Sequence, residues 1–159
     1  MRHLFFLNVS RFPSGGGGFF FVGLELPAPE LLWTLPRIFA ILAGDMEKTL
    51  FQKIADGEIP ATIVYSDDRC VCFRDIQPQA PSHLLLVPRK PIPRIEKAEE
   101  EDAGLLGHLM LCVGRIARQE GLDEEGFRVV MNNGPAAGEA VPHLHIHILG
   151  GRSLQWPPG

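Results

Sequence analysis

Residues 143–148 read His-Leu-His-Ile-His-Ile, a strict alternation of imidazole and aliphatic side chains. On an extended strand successive side chains leave opposite faces, so the three rings share one side, each about 6.6 Å from the next. Leu144, Ile146 and Ile148 then project to the other side. A chain carrying this segment needs a sheet with one buried face and something apolar to cover it.

The cover is legible upstream. Residues 99–120 carry an apolar stripe at Leu105, Leu106, Leu109, Met110, Val113 and Ile116, the 3.6-residue period of one helix. Glu99, Glu100, Glu101 and Asp102 gather at its start, where the helix dipole favours carboxylates. Gly121 is placed to cap its end. A shorter helix opens at Thr49-Leu50-Phe51-Gln52, a T-x-x-Q capping box, with Leu50, Phe51 and Ile54 on its apolar side, and ends at Gly57. Strands are predicted over 62–65, 69–75, 83–87, 127–131 and 143–149. Asp67-Asp68 forms a turn between the first two, and loops run over 76–81 and 132–138. This order predicts an α+β domain, an antiparallel sheet with one long and one short helix packed on it.

Residues 1–45 do not share this order. They hold eight of the thirteen aromatics, four of the fourteen prolines and the run Gly15 to Gly18, with no persistent period. The apolar stretch 31–43 contains Pro36 and Arg37 and falls short of the roughly 20 residues a membrane span needs. The division is therefore 1–45, a non-conforming extension, disordered or a mis-called start, and 46–159, the folded domain. Its removal is expected to leave folding intact. The net charge of −4 argues against binding a nucleic-acid backbone, and no segment argues for a membrane. Three cysteines, Cys70, Cys72 and Cys112, make no disulfide framework, and C-x-C is a poor zinc signal. Three reduced thiols in a cytoplasmic protein are the expectation.

Three uses of the histidine row compete: a solvated face, a metal site and catalysis. A metal would need a ligand from elsewhere, such as His83 or a cysteine, because the outer rings of a straight strand lie about 13 Å apart. In catalysis one neutral imidazole attacks while a neighbour handles the proton. The loop Asn132 to Ala140, rich in glycine, offers backbone N–H groups to an anion beside the row.

The row, the sequence Gly150-Gly151-Arg152, and the ending Trp156-Pro157-Pro158-Gly159 resemble the histidine-triad superfamily, in particular its Hint branch. Phe51, Phe73, Asp75-Ile76, Pro78 to Pro81 with His83, and Leu105 to Met110 extend the likeness over about 49–159. The resemblance implies a homodimeric purine nucleoside phosphoramidase that uses neither metal nor other cofactor. Its substrate would be AMP-like, such as adenosine 5′-phosphoramidate. His145 would be the nucleophile, with His143 orienting it, His147 assisting the leaving amine and His83 supporting the set. Phe51, Ile54, Phe73 and Ile76 would form the purine slot and Asp75 would bind the ribose hydroxyls. Asn132, Gly138 and Ala140 would touch ribose and phosphate. Trp156 would reach the partner's site. Alternatives are a dinucleoside polyphosphate hydrolase of the same superfamily and a regulatory nucleotide-binding protein. Two departures bear on rate: Ala140 stands where some members carry a hydroxyl, and Glu139, where some carry Gln, would repel phosphate if it pointed inward.

Overall fold

The computed structural model describes residues 48–158, so the expectations about residues 1–45 lie outside the described residues. The described chain runs α1 (Leu50–Ala55), β1 (Ile63–Ser66), β2 (Cys70–Arg74), β3 (Ser82–Pro88), α2 (Ala103–Gln119), β4 (Phe127–Val130) and β5 (Ile146–Gly150). The five strands form one sheet in the order β1-β2-β3-β5-β4. Every neighbouring pair is antiparallel. The α+β architecture with one long and one short helix is thus as the sequence implies.

Alternation along the strands divides the interior in two. Cys70, Cys72, Leu84, Leu86, Ile146 and Ile148 face α2 and meet its Leu109, Cys112, Val113, Ile116 and Ala117. On the opposite face Val71, Phe73, Leu85 and Val87 pack against Phe51 and Ala55 of α1. The register Leu85↔His147 and His83↔Leu149 sets His83 and His147 on this second face, one diagonal apart. The short helix covers only part of that face, and the histidines occupy the rest.

Local chemistry fixes the ends. The Thr49 hydroxyl accepts from Gln52 N at 3.1 Å, the N-cap that begins α1. Only this half of the expected capping box forms, because the Gln52 amide turns forward and donates to Asp56 at 2.9 Å. The acidic run 99–102 does not open the α-helix itself. Glu100–Asp102 is a 3-10 turn, and Lys90 pairs with Asp102 at 2.7 Å. Along α2 the buried stripe takes in Cys112 and leaves Met110 half exposed. The helix turns that residue away from the sheet, whereas Cys112, three residues after Leu109 and four before Ile116, falls on the inner line. At the C-terminus Gly121 has φ +67°. Leu122 N donates to Ala117 O and Gly121 N to Arg118 O, the paired bonds of a Schellman motif.

One strand boundary departs from the expected one. β5 begins at Ile146, not at residue 143. Before it, His143 N bonds Val141 O at 2.8 Å and Leu144 N bonds Ile92 O at 2.7 Å. The chain bends there, because Ile92 lies on the connection after β3 and not on a strand that could continue the ladder.

Replacing Gly121 by Ala puts a Cβ on a left-handed residue and should cost about 1 kcal/mol or somewhat more. Urea unfolding would show a lower midpoint with an unchanged slope; an unaltered midpoint would contradict the capping role.

Candidate active site

The bend before β5 brings the three rings closer than a straight strand allows. The His145 and His147 ring centroids lie 4.8 Å apart at 70°. His83, from β3, stacks beside His147 with centroids 5.1 Å apart. Phe51 of α1 lies edge-on to His145 at 5.1 Å. All four predicted catalytic histidines, His143, His145, His147 and His83, thus meet in one cluster. His83, His143 and His145 are buried and His147 is half-buried.

The hydrogen bonds dictate each ring's tautomer, since a carbonyl can only accept and a backbone N–H can only donate. His145 Nδ1 lies 2.7 Å from the His143 carbonyl, so Nδ1 carries the proton and Nε2 keeps its lone pair. His143 Nε2 donates to the Pro88 carbonyl at 3.0 Å, which leaves its Nδ1 to accept from the Thr49 hydroxyl at 3.1 Å. Thr49 therefore caps α1 and locks His143 with one oxygen. On the other side, Gln79 N donates to His83 Nδ1 at 3.2 Å. The His83 proton then sits on Nε2 and is given to His147 Nδ1 at 2.8 Å. This places the His147 proton on Nε2, a buried atom without a partner among the described residues. A buried donor left unpaired is costly and invites an acceptor from a ligand. The cluster presents one fixed lone pair and one fixed N–H, on adjacent rings.

Burial disfavours the imidazolium and lowers the pKa of His143 and His83. For His147 burial is again the largest cause, helped by His145 and His83, and the value falls to about 4.

The predicted nucleotide contacts distribute unevenly. Phe51 and Phe73 are buried and meet edge to face at 5.7 Å, with Ile54 half-buried beside them. Ile76 is 91% exposed on the connection after β2 and takes no part in that packing. Asp75 is half-buried. Its Oδ1 accepts from Gln77 N at 2.8 Å, and its Oδ2 lies 3.5 Å from His83 Nε2. Asn132 is half-buried, and Gly138 and Ala140 are exposed on the loop between β4 and β5. Gly138 adopts φ +85° at the end of the 3-10 turn Pro135–Ala137, with the Asn132 amide 3.8 Å from where a Cβ would stand. Trp156 is 82% exposed on the tail.

The sequence alone did not disclose what Glu139 does. Its carboxylate is almost fully buried, accepts from Gly134 N and pairs with Arg94 at 2.9 Å. Both of its oxygens are thereby committed, and the charge is matched. Instead of repelling an anion, Glu139 ties the glycine-rich loop to the segment after β3. An acidic residue five positions after a glycine carries no such signal in sequence. Pro88 and Gln79 likewise enter through backbone atoms that no residue pattern marks, and Thr49, marked as a cap, shows no sign in sequence of its second contact with His143.

Five antiparallel strands with a histidine row at the rim of the last define a histidine-triad domain. The HIT domain family matches residues 56–154, and the chain belongs to that family. An uncharacterized HIT-like protein of Synechococcus elongatus is 59% identical over 113 residues, covering 71% of this chain and 98% of its own. A 14 kDa zinc-binding protein of Zea mays is 47% identical over 117 residues, 72% of this chain and 91% of its own. Among solved structures, a HIT family hydrolase from Legionella pneumophila superposes with a TM-score of 0.69 at 47% identity. It covers 70% of this chain and all of its own. A histidine triad protein from Clostridium difficile gives 0.66 at 42%, covering 69% and 97%.

The depressed histidines make stability depend on pH with a definite sign. Below pH 6.5 the unfolded chain takes up protons that the folded chain refuses. Stability present above 6.5 should therefore fall steadily toward pH 4, and His147→Gln should flatten the fall. Unfolding midpoints across that range test this; a flat profile in the unaltered protein would refute the burial argument.

Proposed function

We propose that the protein hydrolyses purine nucleoside 5′-phosphoramidates through a nucleotidyl-histidine at His145. The observation that carries this reading is the tautomer chain: a lone pair fixed on His145 Nε2 beside an unpartnered N–H on His147 Nε2. A phosphorus atom between them would meet a nucleophile on one side and a hydrogen-bond donor on the other.

The steps balance. His145 Nε2 gives its electron pair to phosphorus, and the phosphorus–nitrogen bond breaks. The leaving nitrogen, protonated from solvent, takes the electron pair of the broken bond and departs as the neutral amine, while His147 Nε2–H donates a hydrogen bond to a phosphoryl oxygen and keeps its proton. The positive charge formed on His145 is held through its Nδ1–H on the His143 carbonyl. A water then attacks phosphorus, gives its proton to solvent and releases His145 as a neutral ring with the nucleoside monophosphate.

Phe51 and Phe73 supply an aromatic wall suited to a flat base, with Ile54 beside them and Ile76 at an open edge. Asp75, with Oδ1 held by Gln77, has an oxygen suited to ribose hydroxyls. The 132–140 loop, pinned by Glu139, supplies amides for phosphate at Gly138 and Ala140, with Asn132 beneath. We also propose a homodimer as the working form. The large apolar exposures of Leu111 on α2 and Met131 after the edge strand β4, and of Trp156 on the tail, support it. For a cytoplasmic location, no helix among the described residues is long and apolar enough to cross a membrane.

His145→Ala should lower turnover of adenosine 5′-phosphoramidate by several orders of magnitude with AMP affinity retained. His147→Ala should cost about 10²- to 10³-fold, the range of a hydrogen-bond donor to transition-state charge. Mass spectrometry of acid-quenched protein should show an AMP adduct on His145. A loss under tenfold, or an adduct elsewhere, would sink the assignment.

A further inference from the structure

On the sheet face opposite the triad, four ligand-type side chains converge where the β1–β2 turn meets α2. Asp67 comes from the turn, Cys70 from the first position of β2, and His108 and Cys112 from one face of α2, four residues apart. We propose that this cluster is a binding site for one divalent zinc-like cation, held by Asp67 Oδ2, Cys70 Sγ, His108 Nε2 and Cys112 Sγ.

The geometry carries the case. The four ligand atoms lie within 4.8 Å of one another. Cys70 Sγ and Cys112 Sγ are 3.9 Å apart, and Cys112 Sγ is 3.4 Å from His108 Nε2 and 3.9 Å from Asp67 Oδ2. A tetrahedral zinc with ordinary bond lengths separates two sulfurs by about 3.8 Å and a sulfur from a nitrogen or oxygen by about 3.5 Å. Of these edges and the 2.7 Å between His108 Nε2 and Asp67 Oδ2, the last is too short, being a hydrogen bond. That edge must open by about 0.6 Å to the roughly 3.3 Å a metal imposes.

The surroundings suit a resident cation. Asp67 Oδ1 is fixed by the backbone N–H groups of Arg69 and Cys70, both at 2.8 Å, so the carboxylate is held without using Oδ2 on the main chain. Tyr65 donates to Oδ2 at 2.9 Å, and Arg115 donates to Tyr65 at 2.6 Å. Both cysteines are fully buried, whereas the His108 and Asp67 side chains are 13% and 19% exposed, which leaves a path from solvent. Two thiolates select zinc over magnesium or calcium.

Protons and charges balance on loading. The two thiols each release a proton, and the His108 proton moves from Nε2 to Nδ1. The Arg69 side chain, exposed and now donating to His108 Nδ1, swings into solvent. Two thiolates and one carboxylate around a dication leave one negative charge, and Arg115 stays beside it through Tyr65.

Cobalt(II) titration of the reduced, chelator-stripped full chain tests this, since cobalt reports its ligands by colour. The expected result is one equivalent bound with sulfur-to-cobalt charge transfer and tetrahedral bands, displaced by one equivalent of zinc(II). Cys112→Ser should weaken binding at least tenfold and remove about half the sulfur band. Cys72→Ser, a buried cysteine outside the cluster, and His145→Ala should leave both unchanged. Should Cys112→Ser fail to fold, His108→Gln gives the same reading, with the sulfur band kept and affinity lost. Cobalt bound without a sulfur band, or lost in His145→Ala and kept in Cys112→Ser, overturns the proposal. So does no binding at all.

Discussion

The pairing of β3 with β5 governs everything else in the domain. Its register sets Leu85 opposite His147 and Leu84 opposite Ile148. A slip of one residue would exchange faces, sending imidazoles into the α2 core and Ile146 and Ile148 into the open face. The aliphatic members of the row hold the register, because Ile146 and Ile148 are buried against α2 together with Leu84 and Leu86. The core residues thus decide where the chemical residues point. The same pairing carries His83 to within 2.8 Å of His147, a contact between side chains 64 positions apart.

Within that frame the histidines are specified by what cannot donate and what cannot accept. The Pro88 carbonyl at one end sets the tautomer of His143 and the backbone N–H of Gln79 at the other sets those of His83 and His147, while the His143 carbonyl sets His145. Neither terminus can change its role with pH. Burial then disfavours the charged form of His83, His143 and His147, so their protons stay where the backbone puts them. This is an inexpensive way to orient a weak nucleophile, since the reorganisation is complete before any ligand arrives.

How much of this the sequence discloses follows from which atoms do the work. The period of the apolar residues marks both helices and the five strands, because these bury side chains at fixed spacings, but not the 3-10 turns Ile95–Lys97, Glu100–Asp102 and Pro135–Ala137. The histidine row revealed the site. Its exact shape was not legible, because the row is only half a strand. His143 and His145 stand on a bend created by Leu144 N pairing with Ile92, a backbone contact that leaves no mark on residue type. The same holds for the Pro88 carbonyl and the Gln79 amide. Glu139 and Arg94 are ordinary charged residues in sequence and become partners only when two loops 45 positions apart meet. Met110, one position after Leu109, lies at the edge of the apolar stripe, and the buried line runs through Leu109, Cys112, Val113 and Ile116 instead.

The sheet also separates two polar clusters that would interfere if they shared a face. On the α1 side, four imidazoles need their protons fixed. On the α2 side, two thiols, a carboxylate and a fifth imidazole sit among aliphatic side chains at the end of the helix nearest the β1–β2 turn. Strand β2 contributes to both, with Phe73 to one face and Cys70 and Cys72 to the other, and alternation keeps the sets apart by the thickness of one backbone. Whatever tightens the β1–β2 turn against α2 also fixes β2, and β2 holds β3 in register along five consecutive pairs. Because β3 carries His83 and the Pro88 carbonyl, the register that the α2 face holds is also the register in which the imidazoles stand.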